Sequence, residues 1–457
     1  MNCDRCDNEA SVHITEIRRG LSYERHLCET CAETLLPMEE SDYAKYLEVL
    51  PPRDAADAGD EPEPTASELG MTGLRQRVVV VDIDTGRVTR VGLTRGDTAS
   101  PTWSPDGTRL ALSHHIETLF SLLLVAPGRP WQRRFLRTAF AESASWSHDG
   151  GRVAFTHPET DGVYLISADV DEGTLHRFRN TPYANASSPV YSPRDDRIAF
   201  AALDIQGEDY DGSSCVVSTT TVASETLHAV FTLQASFVLR VDWSSDARYL
   251  AAVATPFTRF DIERSFDAPV KQTLHLAPGD AGDATDTALD GDVLSFAWVP
   301  GPALLVTRPS RNPFTTDAVL VEAATRKART VARNVVFPGR AAEACHLSAD
   351  GRTLLTLGAG DDRQVRCLDV TDGSVRTIDA RGEVVGLSWH PSGETFAALI
   401  RTPAGARIEM MTPEGDRREV VAFAREETFD VPRMVLSPDG RRAAVEVHLP
   451  RKDPAES

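Results

Sequence analysis

The sequence predicts a mainly β chain, a β-propeller of eight blades preceded by a small zinc-binding β-hairpin module. Three observations carry that prediction. One pattern recurs about every 48 residues over most of the chain, four cysteines crowd the first 31 positions, and an acidic Pro- and Ala-rich stretch separates the two regions. At 457 residues the chain exceeds one ordinary compact domain, so a large unit with a small appendage is the natural division.

The head comes first. Cys3-x2-Cys6 and Cys28-x2-Cys31 are paired knuckles. Two residues between thiols let a tight turn aim both sulfurs at one ion, and two such turns complete a thiolate tetrahedron. In a reducing compartment this spacing reads as a metal site rather than as a disulfide framework. We therefore assign Cys3, Cys6, Cys28 and Cys31 as ligands of one structural Zn2+; four free thiols and a redox dithiol are the weaker readings. His13 or His26 in place of a thiolate is a further alternative, set against hairpin-surface histidines. Ala10 to Thr15 alternates in strand fashion, Arg19-Gly20 turns, and Leu21 to Leu27 returns, which brings the second knuckle beside the first. So short a segment buries too little apolar surface to fold alone, and the ion supplies the difference.

The string Cys3-Asp-Arg-Cys6, Ala10-Ser-Val-His13-Ile-Thr15-Glu16-Ile17, Gly20 and His26-Leu-Cys28-Glu-Thr-Cys31-Ala32 resembles the N-terminal zinc-binding segment of the bacterial protein-arginine kinase activator family. That resemblance implies a protein-binding module concerned with stress and proteolysis control. The chain has one pair of knuckles where that family commonly has more, and it shows no recognisable helical hairpin of the family's kind. The division expected is residues 1–36 for the module, 37–74 for a short helix broken near Pro37 and an acidic linker, 75–450 for the propeller and 451–457 for a tail. Pro51 to Gly70 should be extended and disordered, because it offers no large aliphatic side chain before Leu69.

The repeat is an apolar strand ending in an anchor, then a reversal, then a second strand. Its clearest copies are Trp103-Ser-Pro-Asp-Gly107 and Trp146-Ser-His-Asp-Gly150; the anchors then continue at Tyr191, Trp243, Trp298, Leu347, Trp389 and Leu436. The intervals are 43, 45, 52, 55, 49, 42 and 47 residues, enough for four short strands each. Five of the six tryptophans are anchors, so they are expected to pack between blades. Before the first anchor lies a lone strand pair, Val78–Ile83 and Val88–Leu93; after the last lies one strand, Arg442–His448. The early pair should complete the final blade and seal the ring, which gives eight. The units are similar to the WD40-like repeats of the TolB-type propeller family, which implies six blades, and seven also stays open.

Chemistry is sparse. The Asp-Gly pairs read as turn residues rather than metal carboxylates. Asp204 to Asp211 and Pro278 to Asp286 read as solvated acidic loops, and His114-His115 as strand-end packing. Cys215, Cys345 and Cys367 are expected as buried small hydrophobes. There is no Gly-x-Ser-x-Gly elbow, P-loop or dinucleotide fingerprint. Prolyl-peptidase relatives add a hydrolase domain after such a propeller, which is not expected beyond the last blade here. The polar start Met1-Asn-Cys-Asp carries no export signal, so a cytoplasmic location is expected, and no apolar run is long enough for a membrane.

A net charge of −20 opposes polyanions, and residues 1–50 hold 5 basic against 11 acidic residues, so no nucleic-acid role is expected. The reading is a non-enzymatic adaptor that binds protein or peptide partners, its propeller flexibly tethered to the head. The alternatives are an enzyme with its site in the propeller's central funnel, and a regulator of arginine phosphorylation or proteolysis acting through the zinc module.

Overall fold

The structure is a computed structural model. It describes residues 3–31 except 5, 7, 11, 19–20 and 29–30, and residues 74–450 except 92–96, 117–118, 129–131, 137–143, 160–161, 179–185, 205–213, 235, 257–271, 283, 285–287, 300, 312–314, 336–346, 359–360 and 425–433. The turn at Arg19-Gly20, the helix near Pro37, the acidic linker, Cys345 and most of the 204–211 loop lie outside the described residues.

The elements are all strands. The head is β1 (Val12–Arg18) and β2 (Leu21–Leu27), an antiparallel hairpin in the register Val12↔Leu27 to Arg18↔Leu21. β3 (Leu74–Asp82) and β4 (Val88–Val91) follow. Blade 1 is β5 (Asp97–Trp103), β6 (Leu110–Ile116), β7 (Leu119–Val125) and β8 (Gln132–Leu136); blade 2 is β9 (Ser145–Trp146), β10 (Arg152–Glu159), β11 (Gly162–Asp169) and β12 (Leu175–Arg177). Blade 3 is β13 (Ala186–Tyr191), β14 (Arg197–Asp204), β15 (Ser214–Thr221) and β16 (His228–Gln234); blade 4 is β17 (Ser236–Trp243), β18 (Tyr249–Pro256) and β19 (Thr273–Pro278). Blade 5 is β20 (Ser295–Val299), β21 (Ala303–Pro309), β22 (Thr316–Glu322) and β23 (Ala328–Val335); blade 6 is β24 (Thr353–Gly358), β25 (Asp361–Asp369) and β26 (Val375–Asp379). Blade 7 is β27 (Glu383–Trp389), β28 (Phe396–Thr402), β29 (Gly405–Met411) and β30 (Arg417–Ala424). Blade 8 is β31 (Met434–Leu436), β32 (Arg442–Pro450) and the early pair β3 and β4. Among the described residues, single bridges, His275↔Ala288 and Leu347↔Leu354, mark the fourth strand position of blades 4 and 6. The eight-blade count therefore holds against six or seven, and β3 pairs with β32 over nine positions from Leu74↔Pro450 to Asp82↔Arg442.

Strand alternation explains how the ring packs. Successive side chains point to opposite faces, and each blade is covered on both. Val78 and Val80 of β3 join a cluster with Trp103, Leu110 and Leu112 of blade 1, while Val79 and Val81 join one with Leu399, Ile408 and Met410 of blade 7. Every successive pair of blades, including the eighth and first, shares such a cluster. The anchors sit inside them and also reach across: Trp146 Nε1 donates to Thr102 O (3.1 Å), Trp243 Nε1 to Val190 O (3.2 Å) and Trp103 Nε1 to Val435 O (3.1 Å). In each case the acceptor immediately precedes the anchor of the blade before. In blades 1, 2 and 4 one indole thus supplies both apolar area and a directional tie.

The turn residues behave as turn residues. The Ser104 hydroxyl donates to Asp106 Oδ1 (2.6 Å) and accepts from Arg109 N (2.9 Å), and Ser147 repeats the pattern with Asp149 (2.6 Å) and Arg152 N (2.9 Å). Ser244, Ser348 and Ser437 do the same in blades 4, 6 and 8. Gly107, Gly150, Gly351 and Gly440 follow with φ of 68° to 74°, the left-handed conformation that reverses the chain.

Two outcomes follow. Trp243 is 3% exposed, so Trp243→Ala should cost about 3–5 kcal/mol in denaturant unfolding of the full chain. The carboxyls of Asp149 and Asp350 lie below their ordinary range, first because Ser147 and Ser348 donate to them and then because the Gly151 and Arg352 amides do. A depressed folded-state value stabilises the ring above the unfolded carboxylate range and is lost as pH falls through the folded one. The melting temperature should therefore hold down to about pH 5 and fall below about pH 4, with Ser147→Ala flattening that fall.

Candidate metal centre and channel-lining groups

The four cysteines assigned from sequence come together. Their sulfurs lie within 4.8 Å of one another, with Cys6 Sγ 3.6 Å from Cys28 Sγ and 3.7 Å from Cys31 Sγ. A tetrahedron of thiolates bound at about 2.3 Å spaces its sulfurs by about 3.8 Å, whereas a disulfide needs about 2.05 Å. The cluster can hold a metal ion. Local hydrogen bonds shape it: Cys3 N donates to Asn8 O (2.8 Å), Asp4 N to His26 O (2.6 Å), and His26 N to Asp4 Oδ2 (2.6 Å), which ties the first knuckle to the end of β2. Cys3 and Cys28 are buried, and Cys6 and Cys31 are half-buried.

Crowding also makes the cluster's chemistry clear. With no cation between the sulfurs, their neighbours push the Cys31 thiol up to about 12, the Cys28 sulfur first and Cys6 second. A cation at the centre removes that opposition, and all four sulfurs then ionise together. The two histidines take no part in the quartet. They face each other across the hairpin, His13 Nδ1 2.7 Å from His26 Nδ1.

The head is joined to the propeller by backbone pairing. β1 pairs in parallel with β8, Val12↔Gln132 to Thr15↔Phe135, so blade 1 grows to six strands in the order β2-β1-β8-β7-β6-β5. The linker expected to tether the head lies outside the described residues; β1 itself covers the outer edge of this blade.

Sequence reasoning assigned nothing at the axis, yet the first strand of each blade lines it and several carry polar groups. β5, β13, β17 and β27 each contain a register shift, at Ala99/Thr102, Ser187/Val190, Val238/Arg240 and Val384/Gly386. Ser100 (φ 51°) and Ser188 (φ 49°) occupy the first two bulges in a conformation that few side chains adopt. Ser100 N donates to Glu446 Oε1 (2.6 Å), and Gln76 Nε2 donates to Glu446 Oε2 (3.1 Å). Glu446 is 7% exposed, its carboxylate on β32 held at the seam between blades 8 and 1. Arg240 donates to Phe296 O (3.1 Å) and to Asp242 Oδ2 (2.9 Å), and loss of solvent still lifts the Asp242 carboxyl above its usual range.

His114 and His157 are buried at one repeat position, ten residues after the turn serines Ser104 and Ser147. The same position is Ala202, Ala254, Gly358 and Val447 in other blades, so aligning the repeats would have exposed the pair. His114 lies opposite Thr98 of β5. Cys215 and Cys367 are buried as expected, their thiols raised by desolvation to about 11 and about 12.

No known protein family matches the chain, and no curated protein does. The resemblance of the head to the arginine kinase activators therefore rests on the residues quoted for it. Solved propellers are similar in fold. A prolyl endopeptidase covers 77% of this chain at 15% identity and a TM-score of 0.46, and this chain spans 54% of its length. An oligogalacturonate lyase in complex with manganese covers 78% at 12% identity and a TM-score of 0.45, with 99% of that chain spanned. The propeller domain of the Trilobed protease from Pyrococcus furiosus covers 71% at 12% identity and a TM-score of 0.43, with 97% spanned. At these identities the likeness speaks to fold.

The expectation of a non-enzymatic adaptor runs against the neighbours of this fold rather than with them. The endopeptidase and the lyase are enzymes, as are the acylaminoacyl peptidases of similar fold. That expectation rested on missing local motifs, and a channel site draws single residues from separate blades, so it leaves no local motif. Among the described residues no helix is long and apolar enough to cross a membrane.

The metal cluster makes its own prediction. The full chain, purified reduced, should carry one metal ion, and Cys28→Ser should lower occupancy at least tenfold in elemental analysis.

Proposed function

We propose that the propeller is an enzyme whose active site opens at the axis between blades 8, 1 and 2, and that the head carries one structural zinc ion. The observation that supports the site best is the carboxylate of Glu446, buried against the strained bulge at Ser100 with the imidazole of His114 one strand away. Buried ionisable groups and strained backbone cost stability, and they collect where chemistry is done. Glu446 takes the part of a general base or acid and His114 that of its counterpart, a pair suited to hydrolysis or to elimination next to a carboxylate. Asp97, whose carboxylate already holds Gln76 N (3.0 Å), positions the strand beneath them.

Zinc is the ion that four thiolates favour, and four protein ligands leave it no open position, so its part is to hold the head together. The head, fixed to the rim of blade 1, is the portion that would meet a protein or peptide partner.

The test is turnover by the full chain on peptide, ester and oligouronate substrates. Glu446→Gln and His114→Gln should each lower the rate at least 100-fold, the usual scale for a lost general acid or base, while circular dichroism stays native. Turnover on none of these classes, or rates unchanged in both variants, would overturn the reading.

A further inference from the structure

The opposite face of the ring, where the Ser-Pro-Asp-Gly turns lie, holds a cavity of about 520 Å3 between blades 7 and 8. Its volume is in the range of small-molecule sites. Three features set it apart from an ordinary groove between blades.

First, its wall departs from the repeat. Where five blades present the buried turn serine bonded to a turn aspartate, blade 7 has His390-Pro-Ser-Gly. His390 Nδ1 is engaged by Ser392 Oγ (2.9 Å), and the ring lies against the next blade's turn, so that a Cβ on Gly440 would fall 1.9 Å from His390 Nε2. A local rule of the fold is broken where the cavity opens, which is where function is to be sought.

Second, one guanidinium group is fixed at the cavity by a main-chain carbonyl rather than by a carboxylate. Arg418 Nη1 donates to Ile83 O (3.0 Å) across the blade boundary, whereas Arg417 turns to the other side of blade 7, its Nη2 donating to Asp379 O of blade 6 (2.8 Å) and its Nη1 in ion-pair range of Glu409 Oε2 (3.7 Å). Arg418 has donors to spare, and Arg441 lines the cavity from blade 8.

Third, the remaining lining is of two other kinds. Ile83 and Met410 are buried and apolar, packed in the cluster between blades 7 and 8, and the exposed carboxylates of Asp84 and Asp416 stand at the rim. Asp439 also lines the cavity, with its Oδ1 occupied by Ser437 Oγ (2.5 Å) and Arg441 N (3.1 Å).

We propose that this cavity binds a small zwitterion with an apolar side chain, a free amino acid or the equivalent end of a short peptide. Its carboxylate lies between Arg418 and Arg441, its ammonium meets Asp84 and Asp416, and its side chain covers Met410 and Ile83. A lone anion would have to sit beside the carboxylates, and a lone cation beside the arginines; a ligand with both charges satisfies each set. The site lies on the other face from the proposed active site and stands without it.

Calorimetric titration of the full chain tests this with L-phenylalanine, N-acetyl-L-phenylalanine, L-phenylalaninamide, the dipeptide Phe-Phe and inorganic phosphate. Phenylalanine or the dipeptide should bind, whichever is tighter identifying the source, and removal of either charge should weaken binding at least tenfold. Arg441→Ala, an exposed side chain that folding does not need, should weaken it tenfold, and Arg418→Met should abolish it. No binding by phenylalanine and the dipeptide, equal binding by the acetylated or amidated forms or by phosphate, or unchanged affinity in Arg441→Ala would overturn the proposal.

Discussion

Pairing between the two ends of the ring is the constraint on which the rest depends. β3 and β32 meet over nine residues though their partners stand some 370 positions apart in the chain, as the Gln76–Glu446 hydrogen bond illustrates. Without that sheet, blade 8 would keep only β31 and β32, and the faces of blades 7 and 1 that now bury Val79, Val81, Val78 and Val80 would open to water. Closing so long a loop is slow, and its entropic cost grows only with the logarithm of length. Nine ladder positions and two apolar clusters are what offset it.

Given closure, each blade needs only to match its neighbours, and the repeat residues divide that work. The anchor indole fills the space between sheets and reaches one carbonyl beyond it. The buried serine and its aspartate set the reversal so that the next strand starts in register. Where the repeat weakens, the fold compensates: Trp298 is only partly buried at its cluster, and among the described residues the first strand of blade 6 contributes the single bridge Leu347↔Leu354. A ring tolerates such local losses because each interface is a separate cluster.

Legibility followed spacing. Cys-x2-Cys knuckles and Ser-Pro-Asp-Gly turns are local in sequence, so the quartet of sulfurs and the blade count could be read directly from it. Docking of β1 on β8 could not, since backbone pairing asks nothing particular of side chains at Val12 to Thr15. The seam around Glu446 was hidden for a related reason. Ser100, Gln76 and Glu446 belong to three strands of two blades and share no motif, and only the repeated Ser-Pro before the anchors at Trp103 and Tyr191 marked the bulges. The buried histidines were legible but went unread, because His114-His115 was weighed as a pair in one strand rather than compared with His157 in the next blade.

Parallel pairing at the rim also separates the two chemistries of the chain. The six strands of the enlarged blade run from β5 at the axis to β2 at the outside, and adjacent strands lie about 4.8 Å apart, so five intervals put roughly 24 Å between the head's outer strand and the channel. An ion held by Cys3, Cys6, Cys28 and Cys31 cannot reach a substrate in the funnel from there. Its thiolates are consumed in holding a hairpin too small to fold unaided, at a scale of about 10–16 kcal/mol in comparable zinc peptides. Hydrogen bonds between β1 and β8 then convert that stability into a covered edge on blade 1, where an exposed strand would invite pairing with another chain. A metal held there would serve the propeller from outside, leaving the proposed axial site to side chains such as Glu446 and His114.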